Sequence, residues 1–383
     1  MSRARDLADL GDGIAVADLP SDVVTTASPS LGRRNLIING AMQVAQRGTT
    51  STSGGYRTVD RFQSEASGGT IEQSHQNLTS GTPFDLGFRK FYRLKNTGNS
   101  TATNSYRQMI YFIESQDVAN SGWNYLSTSS AMTISFWARS SLAGTYYFSM
   151  LESNGGANSK HAHAFTLAAD TWTKVEYTFY GNSNLTFDND NAAGLQLYWR
   201  VDLGADYTGG TAVLDSWTGA SDITPDFTQD FSNTTNATFD ITGVQLEVGS
   251  VATPFEHRSF GEELALCHRY FYSTFAQGVT PADNVSQGIV LVGAAYNAYN
   301  MTCAAYPYPV QMRTNPSLTT YARNAGSGRF ATYINNTWTA GVASASATGN
   351  TTSANFYVAP SGGGLSAQNA YEANGNFTAD AEL

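Results

Sequence analysis

The stretch "FDITGVQLEVGSVATPFEHRSFGEE", Phe239–Glu263, sets four glutamates and a histidine around a short apolar run. Its parity decides between an active site and the edge of a sheet. Phe239 and Ile241 share one face of an extended chain, whereas Val244, Leu246 and Val248 share the other, so the phase slips across Gly243. A slip at a glycine inside a strand predicts a β-bulge. On that register Gln245 and Glu247 point away from the core, which makes Glu247 a surface or interprotomer acid. Glu256 and His257 follow Pro254 in an extended crossing. Ser259, with Glu262 three residues on, is a capping box that opens the helix "FGEELALCHRY". A glycosidase needs two acids at a defined separation, one with a raised pKa, and nothing in this stretch supplies that separation.

The same reading extends upstream. "MTISFWARS" (132–140) alternates with Ile134, Phe136 and Ala138 on one face, and "GTYYFSMLES" (144–153) follows. "TWTKVEYTFYG" (171–181) sets Val175, Tyr177 and Phe179 opposite Trp172, Lys174, Glu176 and Thr178. "GLQLYWRVDLG" (194–204) gathers Leu195, Leu197 and Trp199. Many short strands with turn signals between them predict an all-β fold, a jelly roll β-sandwich. No fixed internal period appears, which disfavours a solenoid. Beyond the helix, "QGIVLVGAAY" and "ATYINNTWTA" restart β patterning and predict a second, smaller β-sandwich. The expected organisation is an arm at 1–33, a jelly roll at 34–258, a linking helix at 259–268 and a distal sandwich at 269–383.

Composition narrows the function classes. Aromatic residues make up 12% of the chain and charged residues 14%, and 21 cations against 31 anions give a net charge of −10. Nucleic acid binding needs a basic patch that four lysines and an acidic pI near 4.9 do not promise. No run of about eighteen apolar residues occurs, so no membrane insertion is expected, and "MSRARDLADLGDG" has no signal-peptide core. Cys267 and Cys303 read as buried apolar thiols. The first ten residues read as a short helix and the remainder of the arm as extended chain that packs on another copy or a neighbouring protein.

Five stretches carry a resemblance: "RNLIINGAMQVAQRGT" (34–49), "YRTVDRF" (56–62), "ITGVQLEVGSVATPFEHRSFGEELALCHRYF" (241–271), "YPVQMRTNPSL" (308–318) and "ADAEL" (379–383). Together they resemble bacteriophage tail fibre and receptor-binding proteins, especially those of marine and cyanobacterial phages. The resemblance covers nearly everything from Arg34 onward. It implies a homotrimeric virion appendage, made in the host bacterial cytoplasm, whose first domain is like the jelly roll carbohydrate-binding modules. "ADAEL" matches the ending of many such fibres and implies a complete distal tip. Such fibres often carry a long shaft, so the short arm implies attachment to another virion protein, an adaptor or a proximal fibre.

Candidate chemistry follows two lines. In "KHAHAF", His161 and His163 stand two apart in a strand, so both rings leave one face and can ligate a transition metal; the plainer reading is two exposed imidazoles. The acidic runs "TFDNDNAAG" (186–194) and "SDITPDFTQDFSN" (221–233) offer oxygens for a structural calcium, although turns favour Asp and Asn anyway. No GxSxG, HExxH, P-loop or dinucleotide fingerprint is present. Sugars bind by stacking on aromatic rings while polar side chains hold their hydroxyls. Tyr296, Tyr299, Tyr321, Arg323, Tyr333, Asn335 and Trp338 are the candidates for that role. The expected function is adhesion to a host surface polysaccharide, with lipopolysaccharide foremost. The rivals are a polysaccharide depolymerase or deacylase tailspike, and a purely structural head fibre or decoration protein.

Overall fold

A computed structural model describes residues 34–155, 159–285, 288–323, 329–334, 337–360 and 364–383, with backbone alone at 329 and 339–346. The expected arm at 1–33, with its helix, and Asn335 lie outside the described residues.

The alternating segments form β1 (Thr50–Ser51), β2 (Phe62–Ser67), β3 (Thr70–Asn77), β4 (Lys90–Gly98), β5 (Tyr106–Glu114), β6 (Ala131–Ser140), β7 (Gly144–Glu152), β8 (Lys160–Leu167), β9 (Thr173–Tyr180), β10 (Ala193–Leu203) and β11 (Thr238–Val248). Two single-turn helices, α1 (Thr82–Asp85) and α2 (Ser115–Ala119), interrupt them. The strands make two antiparallel sheets, ordered β1-β3-β4-β11-β6-β9 and β2-β5-β10-β7-β8. Their inner faces close on one aromatic-rich core, a jelly roll β-sandwich. Trp199 is fully buried at its centre, with Phe62, Phe136 and Phe148 at centroid distances of 5.6–6.0 Å.

The predicted bulge is present in β11. Its register against β6 shifts between Thr242 and Gln245, and Gly243 has φ +62°. A β-carbon there would stand 2.7 Å from the Phe88 ring, so both conformation and space require glycine. The ladder groups that the bulge unpairs are satisfied by the segment "NLIING". Asn35 accepts from Leu246 N at 3.0 Å and donates to Val244 O at 3.1 Å, and Val244 N donates to Gly40 O at 2.9 Å. A β-carbon on Gly40 would meet Val244 O at 2.1 Å, which explains the second glycine.

The parity of Gln245 and Glu247 is as read, but their exposure is not. Both turn away from the core and both are buried, because the crossing segment folds back over them. Glu247 accepts from Thr253 N at 2.8 Å, from the Thr253 hydroxyl at 2.6 Å and from Gln245 Nε2 at 2.8 Å. Gln245 Oε1 accepts from Glu256 N at 2.8 Å. Glu247 is therefore an internal staple and not a surface or interprotomer acid.

Helix α3 (Phe260–His268) begins with both halves of the expected capping box on Ser259 and Glu262. It leads into β12 (Phe271–Ser273), β13 (Ile289–Ala295), β14 (Met301–Cys303), β15 (Tyr306–Pro307), β16 (Ser317–Tyr321), β17 (Arg329–Ile334), β18 (Thr337–Gly349), β19 (Ser353–Pro360) and β20 (Ala370–Asp380). The smaller sandwich takes a closed form: β20-β13-β14-β19-β18-β17 pair in sequence and β17 pairs back onto β20. Closure removes the exposed sheet edges of a small unit. Its interior is filled by Leu291, Met301, Phe330, Phe356, Val358 and Phe377. Cys267 and Cys303 are buried thiols, as expected.

Candidate functional site

The five stretches of the tail-fibre resemblance converge on the joint between sandwich and barrel. Asn39 N donates to the buried Glu263 at 2.5 Å, and Asn35 N donates to Glu256 at 2.8 Å. Gln46 bridges the Asp60 carboxylate and Phe271 O. The guanidinium of Arg47 lies 3.6 Å from the Phe271 ring centre, and that of Arg61 lies 3.5 Å from Tyr270. Both arginines pair with Glu382 of "ADAEL", and Arg313 Nε donates to Ala381 O at 2.7 Å. On the sandwich side, Arg269 grips Glu114 through two 2.7 Å bonds, and the Tyr270 hydroxyl adds a third at 2.6 Å. Burial pushes the Glu114 carboxyl up, but these donors outweigh it and hold it below its ordinary value. Burial raises the Asp60 carboxyl to about 6, and Arg47 only partly offsets this. Each glutamate of the opening stretch is thus occupied: Glu247 by Thr253, Glu256 by Asn35, Glu262 by the cap and Glu263 by Asn39. These motifs build a joint.

The binding candidates sort differently. Tyr333 and Trp338 pair across the β17–β18 hairpin with ring centroids 5.2 Å apart, and they are 36% and 39% exposed. The register continues the row from Tyr333 to Glu372 on β20 and on to Val292 on β13. At about 4.8 Å per strand, the row Trp338–Tyr333–Glu372–Val292 runs about 14 Å across the barrel's outer face. Glu372 is exposed within it, and sequence reasoning missed it because barrel closure alone brings β20 beside β17. Tyr296 and Tyr299 are exposed on the β13–β14 loop, where Asn297 closes the turn by accepting from Tyr299 N and Asn300 Nδ2. Tyr321 is half-buried against Phe275 and lines a cleft at the joint, while Arg323 is exposed just beyond β16. Of the described candidates, the structure therefore pairs Tyr333 with Trp338, leaves Tyr296 and Tyr299 on a different loop and turns Tyr321 to the joint.

The sandwich carries a polar row on the outward side of β2-β5-β10-β7, where Arg200, Gln108 and Ser149 are nonetheless buried. Arg200 Nε donates to Ser149 Oγ at 2.9 Å, its Nη1 donates to Gln108, and Gln108 donates to Glu65 at 3.1 Å. Arg200 also lies 3.7 Å over the Tyr198 ring, and burial lowers its pKa to about 10. These side chains satisfy one another.

His161 and His163 do share a face, but it is the inward one. His161 is buried beside Tyr177, Phe179 and Trp217, and burial lowers its pKa to about 4. His163 stacks on Tyr177 at 3.8 Å and meets Asp215 through Nδ1 at 2.7 Å. Both rings pack on Tyr177, whose hydroxyl lies 3.3 Å from His161 Nε2, and His163 is further held by Asp215, unlike either a metal-facing pair or two exposed imidazoles. In the acidic runs Asp190 accepts from Ala192 N and Asp230 from Asn233 N, which are turn-closing bonds, while Asp226 accepts from the Thr208 hydroxyl 18 residues upstream and ties two loops together. Among the described residues no three His, Cys, Asp or Glu side chains converge as a metal cluster.

No family model and no curated protein matches the chain. Among solved structures, the enzymatically active domain of tailspike protein 4 of bacteriophage CBA120 is similar at 10% identity and TM-score 0.32, over 56% of this chain and 22% of that one. The chain thus spans about a fifth of that protein's length. The family 11 carbohydrate-binding module of a Clostridium thermocellum cellulase is similar at 13% identity and TM-score 0.27, over 54% of this chain and 98% of that one. A module described as TmCBM61, in complex with β-1,4-galactotriose, is similar at 8% identity and TM-score 0.25, over 57% of this chain and 100% of that one. At such identities no residue role passes from them to this chain.

Proposed function

We propose that this chain is a glycan-binding phage tail fibre protein that adheres to a host surface polysaccharide, with lipopolysaccharide foremost, and performs no chemistry on it. The observation that carries the reading is the exposed Trp338–Tyr333 pair in register with Glu372. Two open rings offer stacking surfaces for the apolar faces of sugars, and a neighbouring carboxylate accepts their hydroxyls. A single site of this kind binds weakly, so a homotrimer that presents three copies gains by avidity on a repetitive coat. Attachment of the 1–33 arm to another virion protein completes the proposal.

The test is retention on immobilised bacterial lipopolysaccharides and capsular polysaccharides. Saturable binding should fall at least tenfold in Trp338→Ala and Tyr333→Ala while thermal unfolding is unchanged. Binding that both variants retain in full would overturn the assignment. Sustained release of reducing ends or acetate would favour a depolymerase or deacylase, and unchanged adsorption of virions lacking the protein would favour a structural part. Sedimentation equilibrium tests the trimer, since a monomer mass removes the avidity argument.

A further inference from the structure

The joint encloses a cleft of about 700 Å³, within the size range of small-molecule sites. One wall is the outward row of β16 and β20, where Ser317 faces Asp380 and Thr319 faces Thr378 across the ladder. Their inward neighbour Leu318 packs on the barrel core, so the wall is fixed in register. Short hydroxyl side chains leave the space open and repeat hydrogen-bonding groups at about 7 Å intervals along the strand. Tyr321 closes one end of this row, edge-on to Phe275, and Tyr56 stands in the lining contributed by the sandwich. The floor holds Arg47, clamped flat on Phe271 and paired with Asp380 at 3.4 Å and Glu382 at 3.2 Å.

We propose that this cleft is a second saccharide site, specific for a neutral oligosaccharide. Charge decides the ligand class. The lining holds two guanidiniums, Arg47 and Arg57, and two carboxylates, Asp380 and Glu382, so their charges balance and neither a phosphate nor a cation is favoured. Apolar lining is too sparse to recognise a hydrophobic ligand. What remains is a dense set of hydroxyls with two tyrosine rings and a carboxylate 45% exposed at Asp380. Because buried ion pairs hold both walls, the site is preformed and binding orders little protein. This inference does not rest on the outer barrel row, and either site can fail alone.

The experiment uses the full chain carrying Trp338→Ala and Tyr333→Ala, printed against a microarray of neutral and acidic bacterial oligosaccharides. The double variant should still retain at least one neutral glycan. Adding Thr319→Trp, which fills the cleft, should weaken that retention at least tenfold; Asp380→Asn, nearly isosteric, should do so at least threefold if the bulky change prevents folding. No retention by the double variant, retention of acidic glycans alone, or indifference to both cleft changes would overturn the proposal. Binding lost on Trp338→Ala and indifferent to Thr319→Trp would keep the outer row and remove the cleft.

Discussion

The sandwich and the barrel treat large apolar side chains in opposite ways. Over residues 35–268 the exposed ones are spread along the chain at Leu86, Leu126, Tyr180, Val213, Val251 and Phe260. Over the shorter barrel segment Val290, Val292, Tyr296, Tyr299, Tyr333, Trp338 and Tyr357 are all exposed. The two-layer core has room for Trp199 and its ring neighbours, whereas the barrel interior holds no tryptophan among its described residues and interleaves Ala295, Ala354, Ala373 and Ala379 with Leu291, Met301, Phe330, Phe356 and Phe377. Scattered exposure needs no explanation, but exposure concentrated on one small unit marks a contact surface. The same contrast holds for acids: Glu247 is stapled under the crossing segment, and Glu372 stands open beside Tyr333.

The sharpest way to break this contrast is to remove one tryptophan from each region. Trp199→Ala should cost about 3–5 kcal/mol, because it deletes the ring around which three others pack and leaves a cavity. Trp338→Ala should change stability by less than about 0.5 kcal/mol, as surface truncations do. Urea midpoints of the two variants test this directly. Equal losses would mean that Trp338 belongs to the folded core.

A pH series separates the regions next, since all five histidines precede residue 269. His161 has its pKa lowered by burial from 6.5 to about 4. Between those values the unfolded chain binds a proton that the folded chain refuses. The stabilising contribution is therefore complete above pH 6.5 and is lost as the pH falls toward 4, with an upper bound of about 3 kcal/mol. Asp60 acts in the opposite sense: burial raises it from 3.8 to about 6, so its contribution is present below pH 3.8 and lost as the pH rises through 6. His161→Gln should accordingly reduce the loss of stability between pH 6.5 and 4.5, read from urea midpoints at both values. An unaltered acid slope would show that the imidazole titrates normally in the fold.

Much of the sandwich was legible because period-two alternation is local information. Ile134, Phe136, Leu195, Leu197 and Trp199 all point where their parity sends them, and the slip at Gly243 located the bulge. What was not legible depends on a third segment arriving. Glu247 has an outward parity and is buried because residues 250–256 fold over it. Glu372 joins Tyr333 because β20 closes the barrel, which no local pattern announces. Tyr321 shares composition and spacing with Tyr333, yet it lines the joint. The five resembling stretches were legible as a set, and their shared job became visible when Arg47, Arg61, Glu114 and Glu382 were seen to meet.

The smallest effect asks whether two such different regions unfold as one body. Ser259 caps α3 by accepting from Glu262 N at 3.3 Å, while its own N–H donates to Glu262 Oε2 at 2.9 Å. Ser259→Ala removes one half of this box and should cost about 1 kcal/mol. That helix carries Glu263, which ties to Asn39 of the sandwich, and leads to Tyr270, which ties to Glu114. Loosening its start should therefore lower one shared transition and leave no region behind. Tryptophan fluorescence can tell, because Trp338 is the sole tryptophan after residue 268 and the other five lie in the sandwich. Melting curves of Ser259→Ala and of Ser259→Ala with Trp338→Phe should coincide with a circular dichroism curve of the same proteins. A separate barrel transition would show that the buried ion pairs at the joint position the two regions without coupling their stability.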